Sequence, residues 1–456
     1  MNAAMRKSAT IDPRPQARRA IVVGLGRTGL SCARYLSAHG ARVAITDSRA
    51  QPPELANLGS LAARVELHLG AFDSELLADA GQVVVSPGVA LTEPFLREAV
   101  ARGIEVVGDI ELFARAVRAP VIAVTGTNGK STVTTLVAEM VAAAGLKARA
   151  GGNLGVPALD LLDGPEPDFY VLELSSFQLE TTQSLALRAA AVLNLTADHL
   201  DRYTSLADYA AAKARVFAHC DVAIFNLDDA RVRTMPRPGQ QQLSFSLEPG
   251  RRADFGLMRA GDRMSLAYRG EALLALKDMK LAGMHNAANA LAALALGEAA
   301  GLPMQARLEV LRNFPGLTHR MQWVADVAGV RWINDSKGTN VGATLAAVGG
   351  MEGPLIVIAG GDGKNQDFSP LAAAFRDKVR VAVLIGRDAP ALAGVLGGVC
   401  QIERTTTLED AVRVAARVAR SGDTVLLSPA CASFDMFRDY AQRGAVFTAA
   451  VRGLVG

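Results

Sequence analysis

Residues 121–132 read Val-Ile-Ala-Val-Thr-Gly-Thr-Asn-Gly-Lys-Ser-Thr, a short apolar run that breaks into a glycine loop and ends in Lys130, Ser131 and Thr132. The apolar positions Val133, Leu136, Val137, Met140 and Val141 then follow helical spacing, so a helix with one buried face starts at the loop. A strand, a glycine loop and a helix N-terminus make an anion site: backbone N–H groups and the helix dipole meet a phosphate. In that setting Gly126, Thr127, Asn128 and Gly129 supply the cradle, Lys130 a point charge, and Ser131 or Thr132 a hydroxyl for Mg²⁺. Two residues separate Gly126 from Gly129, where the common P-loop has four.

Further candidate groups follow apolar runs. Phe169 to Glu173 places a carboxylate at a strand end, where an acidic residue near a phosphate loop serves Mg²⁺. The strand Ala190 to Leu195 leads to Asp198 and His199; a lone histidine there either joins a metal site, orients a substrate or is structural. On a helix expected from Leu206 to Ala218, Lys213 falls mid-way across the face formed by Leu206, Tyr209, Val216 and Phe217. Burial there lowers the pKa of an amine. Two outcomes stand open: the chain snorkels to water, or a free amine takes up CO₂ as a carbamate and faces a metal.

Nearer the N-terminus, Gly24-Leu-Gly26-Arg-Thr-Gly29 follows a strand, and Asp47 ends the next one. That is the dinucleotide fingerprint, with an acidic residue for a ribose hydroxyl. The segment is short for a complete dinucleotide fold. Ser86-Pro87-Gly88 follows another strand and is either a diphosphate contact or an ordinary turn. Asn286 and Asn289 share a helix face suited to a base edge or to capping. In the last third, three polar loops follow strands: 334–340, 360–364 and 428–433. Ligands of open α/β sheets bind at such carboxyl ends. Arg320, Lys337 and Lys364 would meet a γ-phosphate, and phosphoryl transfer needs little beyond such charges.

These residues need α/β domains to hold them. The chain has 456 residues, enough for two to four domains. We expect a tail over 1–19, a domain over 20–109, a central domain over 110–316 with a mostly parallel sheet, and a last domain over 317–456 with strands at 331–334, 355–359, 379–385 and 424–427. Alternating runs between Gln241 and Leu276 predict a small antiparallel patch. The basic tail lacks the apolar middle of a signal peptide, and no apolar run nears the roughly 20 residues that span a bilayer. Four scattered cysteines argue against disulfides or a zinc site, and a net charge of +3 against nucleic-acid binding. A cytoplasmic, monomeric enzyme of small molecules is the expectation.

With the motifs in view, the chain resembles the Mur ligase family over nearly its whole length. The short loop Thr125-Gly-Thr-Asn-Gly-Lys-Ser-Thr132 is similar to that of the family. The runs at 173–180, 198–203, 334–340 and 428–435 resemble those of its D-glutamate-adding member, with Gly338 where Ala is common. The Arg-containing loop of diamino-acid-adding members is not found. The resemblance implies a Rossmann-like N-terminal domain, a P-loop-like central domain and a Rossmann-like C-terminal domain. It implies that ATP activates UDP-N-acetylmuramoyl-L-alanine as an acyl phosphate for attack by D-glutamate. Gly126 to Thr132, Asn289, Arg320 and Asp335 would bind ATP; Ser131, Glu173, His199 and a carbamylated Lys213 would hold two magnesium ions. Thr28, Asp47, Ser48, Ser86, Gly88 and Asn153 would bind the UDP substrate, making the first fingerprint a UDP site. Lys337, Thr339, Lys364, Ser433 and Tyr440 would bind D-glutamate, and Lys130, Glu173, His199, Lys213, Lys337 and Lys364 would form the catalytic set.

Overall fold

The structure, a computed structural model, describes residues 19–153, 155–199, 202–281, 283–351 and 353–454. Of the expected tail only Arg19 falls among them; it opens the first strand, with its guanidinium on Glu66 and Asp79 at 2.8 and 2.7 Å.

The chain forms two compact units. One comprises the N-terminal residues to Ala116 with the short returns Pro157–Asp163 and Thr181–Gln183. Its strands β1 (Arg19–Val23), β2 (Val43–Asp47), β3 (Val65–Leu69), β4 (Ala80–Val85) and β5 (Glu105–Val107) form a parallel sheet in the order β3-β2-β1-β4-β5. β2 is buried throughout and β1 from its second residue, which is why both read as continuous apolar runs. Between β1 and the helix Arg27–Ala38 the glycine loop is drawn tight: a Cβ on Gly29 would lie 1.8 Å from the Gly24 carbonyl oxygen. Glycine there is a steric requirement.

The second unit holds two sheets. The larger contains β6 (Val121–Thr125), β7 (Ala148–Gly152), β8 (Phe169–Glu173), β9 (Leu187–Val192), β10 (Cys220–Asn226), β11 (Gln241–Phe245), β12 (Phe255–Ala260), β13 (Arg263–Tyr268) and β14 (Glu271–Ala275), in the order β14-β13-β12-β11-β10-β9-β6-β8-β7. The helices Lys130–Ala143 and Met284–Ala299 bury Val133, Leu136, Val137, Leu291 and Leu294 in its core. The antiparallel patch is smaller than its alternation predicted. β11 runs parallel to β10 and to β12, and only β12, β13 and β14 are antiparallel. A period-two pattern reports which side chains face inward and carries no strand direction.

The smaller sheet runs β15-β16-β20-β17-β18-β19, from β15 (Gln322–Val327), β16 (Val330–Asn334), β17 (Leu355–Gly360), β18 (Val379–Ile385), β19 (Gln401–Arg404) and β20 (Thr424–Leu427). The four strands expected from sequence are its interior. The two added ones, β15 and β19, are edges with mixed exposure, so their apolar signal is weak.

Candidate active site

β6 delivers the chain to the glycine loop in a fixed conformation. Gly126 and Gly129 have φ of 148° and 83°, and the helix Lys130–Ala143 starts directly behind Gly129. A Cβ on Gly129 would lie 2.3 Å from Asn289 Oδ1, so the loop packs on the helix that carries the two asparagines. From the end of β9, the Asn194 side chain clamps Asn128: its Oδ1 accepts the Asn128 N–H at 2.8 Å and its Nδ2 donates to the Asn128 carbonyl at 3.0 Å. Lys130 Nζ folds back onto the carbonyls of Gly126 and Thr127, at 3.0 and 2.8 Å. Burial lowers its pKa against the opposing pull of Glu173 and Asp198.

Glu173, at the end of β8, is 2 % exposed and fully engaged. Ser131 Oγ donates to one carboxylate oxygen at 2.5 Å and Asn153 Nδ2 to the other at 2.6 Å. Burial alone would raise this carboxyl; the Lys130 charge and the two hydrogen bonds outweigh it and hold it below the usual carboxylate range. Arg320 Nη2 donates to Ser131 Oγ at 2.5 Å, bringing a cation from the segment before β15 onto the same hydroxyl.

Lys213 does not snorkel. The α-helix Leu206–Ala214 gives way to a tighter 3₁₀ turn at Arg215–Phe217, short of the Ala218 expected. With 1 % exposure, the lysine turns inward: Nζ donates to the Gly126 carbonyl at 2.9 Å and sits 4.5 Å from the Tyr209 ring centre. The helix sits against the glycine loop, so the amine finds an acceptor inside and has no need of water. Burial, then the nearby Lys130 charge, push its pKa well below the ordinary lysine value.

Loops of the smaller sheet close over this centre. Lys364 Nζ meets Asp198 Oδ1 at 2.8 Å, and Asn340 Nδ2 donates to Asp198 Oδ2 at 3.1 Å. The Asn340 and Asn128 side-chain amides also pair at 3.3 Å. Lys337 Nζ stands 4.0 Å over the Tyr440 ring, and burial with the Arg320 charge lowers its pKa to about 7. Asp335, buried and accepting from Ser428 Oγ at 2.9 Å, is raised by burial to about 7. A cleft of about 290 Å³ runs between the sheets, with Gly129, Thr132, Arg320 and Lys337 among its polar lining and Leu281, Phe245 and Ala347 among its apolar lining. A phosphate chain joined to a planar base has these two requirements.

Three family models match consecutive parts of the chain: the Mur ligase MurD-like N-terminal domain over residues 18–108, the Mur ligase middle domain over 124–297 and the Mur ligase glutamate ligase domain over 319–431. A relative from Nitrosococcus oceani, named UDP-N-acetylmuramoylalanine–D-glutamate ligase, is 52% identical over 437 residues, covering 95% of this chain and 96% of its own. The chain belongs to the Mur ligase family. A relative of the same name from Methylococcus capsulatus is 52% identical over 436 residues, covering 96% of this chain and 95% of its own. Among solved structures, the UDP-N-acetylmuramate-alanine ligase MurC of Thermotoga maritima aligns with a TM-score of 0.62 at 18% identity, covering 95% of this chain and 99% of that one. A pseudomurein peptide ligase type C from Methanothermus fervidus gives 0.61 at 17%, covering 90% and 96%. These two likenesses speak to the fold, three α/β parts with mostly parallel sheets.

In this Mur ligase the remaining sequence candidates divide between the units. Thr28, Asp47, Ser48, Ser86 and Gly88 lie in the first unit, around the glycine loop and the ends of β2 and β4. Asp47 already accepts the Leu25 N–H at 2.7 Å and two Arg49 guanidinium N–H bonds, and Ser86 Oγ donates to the Gly24 carbonyl at 2.7 Å. His199, with φ of 57°, holds Nε2 3.8 Å from Asp198 and its ring against Phe177. Thr339 follows Lys337 in the β16 loop, and Ser433 is buried in the loop after β20. Sequence reading missed Asn194 as the loop clamp and Arg443 as the brace of the last domain. Arg443, 1 % exposed, donates to the Ser336 and Cys431 carbonyls at 2.8 and 3.1 Å, tying two loops together. Asn194 at a strand end was a readable signal; an arginine inside a mixed helix was not.

Proposed function

We propose that this enzyme joins D-glutamate to UDP-N-acetylmuramoyl-L-alanine with ATP, in peptidoglycan precursor synthesis. The observation that carries the reading is a group of four cations close enough to act on one another's charge, Lys130 behind the glycine loop and Arg320, Lys337 and Lys364 from beyond residue 316, with Arg320 and Lys337 lining the cleft. Relatives of that name matching along nearly the full length support the substrate pair.

The phosphate loop and Lys130 bind the ATP phosphates, with Asn289 and Asp335 toward the nucleoside. Lys130 exchanges its bonds to the loop carbonyls for phosphate oxygens, and Arg320 and Lys364 offset charge as the γ-phosphoryl passes to the alanine carboxylate. ADP leaves, and the D-glutamate amine then attacks the acyl carbon. The C–O bond to phosphate breaks, and the departing phosphate carries off the proton that the amine gives up. Lys337, Thr339, Ser433 and Tyr440 hold D-glutamate, while Thr28, Asp47, Ser48, Ser86, Gly88 and Asn153 hold the UDP substrate. Exclusion of water protects the acyl phosphate.

Among the described residues no three His, Cys, Asp or Glu side chains cluster as a metal site. Ser131 Oγ and the Glu173 carboxylate, 2.5 Å apart, offer the hard oxygen donors that Mg²⁺ takes while it completes its shell from substrate phosphates and water. Ser131, Glu173, His199 and Lys213 as a carbamate would hold it. When bound, Mg²⁺ supplies charge neutralisation at the phosphates. Carbamylation fits Lys213 because a buried amine with a depressed pKa is in the free-base form that adds CO₂. On this reading the enzyme works as a cytoplasmic monomer; among the described residues no helix is long and apolar enough to cross a membrane.

The test is phosphate release from ATP with the muramoyl-alanine nucleotide across a panel of L- and D-amino acids. D-glutamate should stimulate release and L-glutamate should not; no stimulation by D-glutamate refutes the reading.

A further inference from the structure

On the far edge of the larger sheet, β11 and β12 share a single bridge, Phe245 with Phe255. The Ser246 N–H donates to the Phe255 carbonyl at 3.0 Å, so Phe255 turns its backbone groups toward β11. Backbone direction alternates along a strand, so Leu257 and Arg259 face the same way. Beyond Phe255 β11 has ended, and among the described residues no strand pairs with that side of β12, while its other side stays laddered to β13 as far as Ala260.

The gap beside this edge is a cleft of about 850 Å³ whose lining includes Arg251, Arg252, Arg259 and Arg269. The local acids are already engaged: Asp228 and Glu248 with Arg251 at 3.2 and 2.8 Å, and Asp254 with Arg269 at 3.5 Å. Arg252 and Arg259 are exposed, and neither forms an ion pair among the described residues. A short open strand edge flanked by uncompensated guanidinium groups has two unmet requirements, backbone partners and carboxylates.

We propose that this cleft is a docking site for an extended acidic peptide segment of a protein partner, which adds as a strand beside Leu257–Arg259 and places its carboxylates on Arg252 and Arg259. Strand addition supplies main-chain hydrogen bonds, and the arginines select for acidic side chains. The open edge favours a peptide over a nucleic acid or a lipid surface, neither of which offers a backbone ladder.

The probe is a fluorescent peptide of alternating Glu and Val, compared with its Lys–Val counterpart by anisotropy on the full chain. The Glu–Val peptide should bind at least tenfold tighter than Lys–Val, and Arg252→Glu with Arg259→Glu should remove that preference while amino-acid-dependent phosphate release stays unchanged. Arg259→Pro and Arg259→Ala both delete the charge, but only proline deletes the N–H on the open side, so the proline variant should bind at least threefold more weakly than the alanine one. Equal binding of the two peptides, equal binding by the Pro and Ala variants, or a stronger charge-dependent response to a uridine-rich RNA oligomer or phosphatidylserine vesicles would each overturn the proposal.

Discussion

Lys130 and Lys213 donate to one carbonyl oxygen, that of Gly126, at 3.0 and 2.9 Å. Two buried amines thus compete for a single acceptor, and the Lys130 charge disfavours a second charge on Lys213. The arrangement disfavours keeping both charged, and Lys213, with its pKa well below the ordinary lysine value, is the one driven toward the free base.

Lys213→Ala should therefore lower turnover by about a hundredfold or more, the scale of a lost electrostatic group in a water-excluded site. If a carbamate supplies the missing charge, added formate or acetate should restore part of the rate. Near-normal turnover in the alanine variant would remove the carbamate from the mechanism.

Gly129→Ala should damage ATP binding from the backbone outward. The position has φ of 83°, and the new Cβ would meet Asn289 Oδ1 at 2.3 Å. Strain of about 1–3 kcal/mol is expected. Thermal melts with and without ATP should show both a lower Tm and a smaller ATP-induced shift; an unchanged shift would contradict the packing of loop on helix.

Asp335 should set a pH dependence in the ligand-free protein. Its folded pKa is raised to about 7 from 3.8, so the native state binds the proton more tightly. Its contribution to stability is complete below the unfolded pKa and is lost as pH rises through 7, by at most about 4 kcal/mol. Asp335→Asn should accordingly raise Tm over the parent protein at pH 8 and by much less at pH 5. A Tm difference independent of pH would show that the carboxyl is not protonated in the fold.

Arg443→Met keeps the bulk of the side chain and strands the carbonyls of Ser336 and Cys431 without their donor. Unpaired buried carbonyls cost about 1–3 kcal/mol each. We expect a lower Tm and a raised KM for D-glutamate with a smaller change in KM for ATP, read in the same phosphate-release assay. Equal effects on both substrates would argue for general loosening of the sheet.

Much of this was legible in the sequence because local rules and the fold agree. The glycine loop, the apolar strands β6 and β8 and the carboxylate at the end of β8 are all short-range patterns. The direction of Lys213 was not, since helix periodicity places a side chain on a face and cannot say whether an acceptor waits there. Nor was the direction of β11, whose alternation serves a parallel neighbour as well as an antiparallel one. The edge strands β15 and β19 were missed because half-exposed edges lose the apolar contrast on which sequence reading depends.

Asp198 sits at the end of the segment after β9 yet answers to Lys364 and Asn340 from two separate loops of the smaller sheet. For anyone building chimaeras, this sets the seam. Exchanging the last domain for that of a relative with another amino-acid preference transplants the lysine and the asparagine but leaves their shared acceptor behind. A graft that carries the Asp198 segment along with the donor's loops respects the joint; one cut cleanly between residues 316 and 317 divides it.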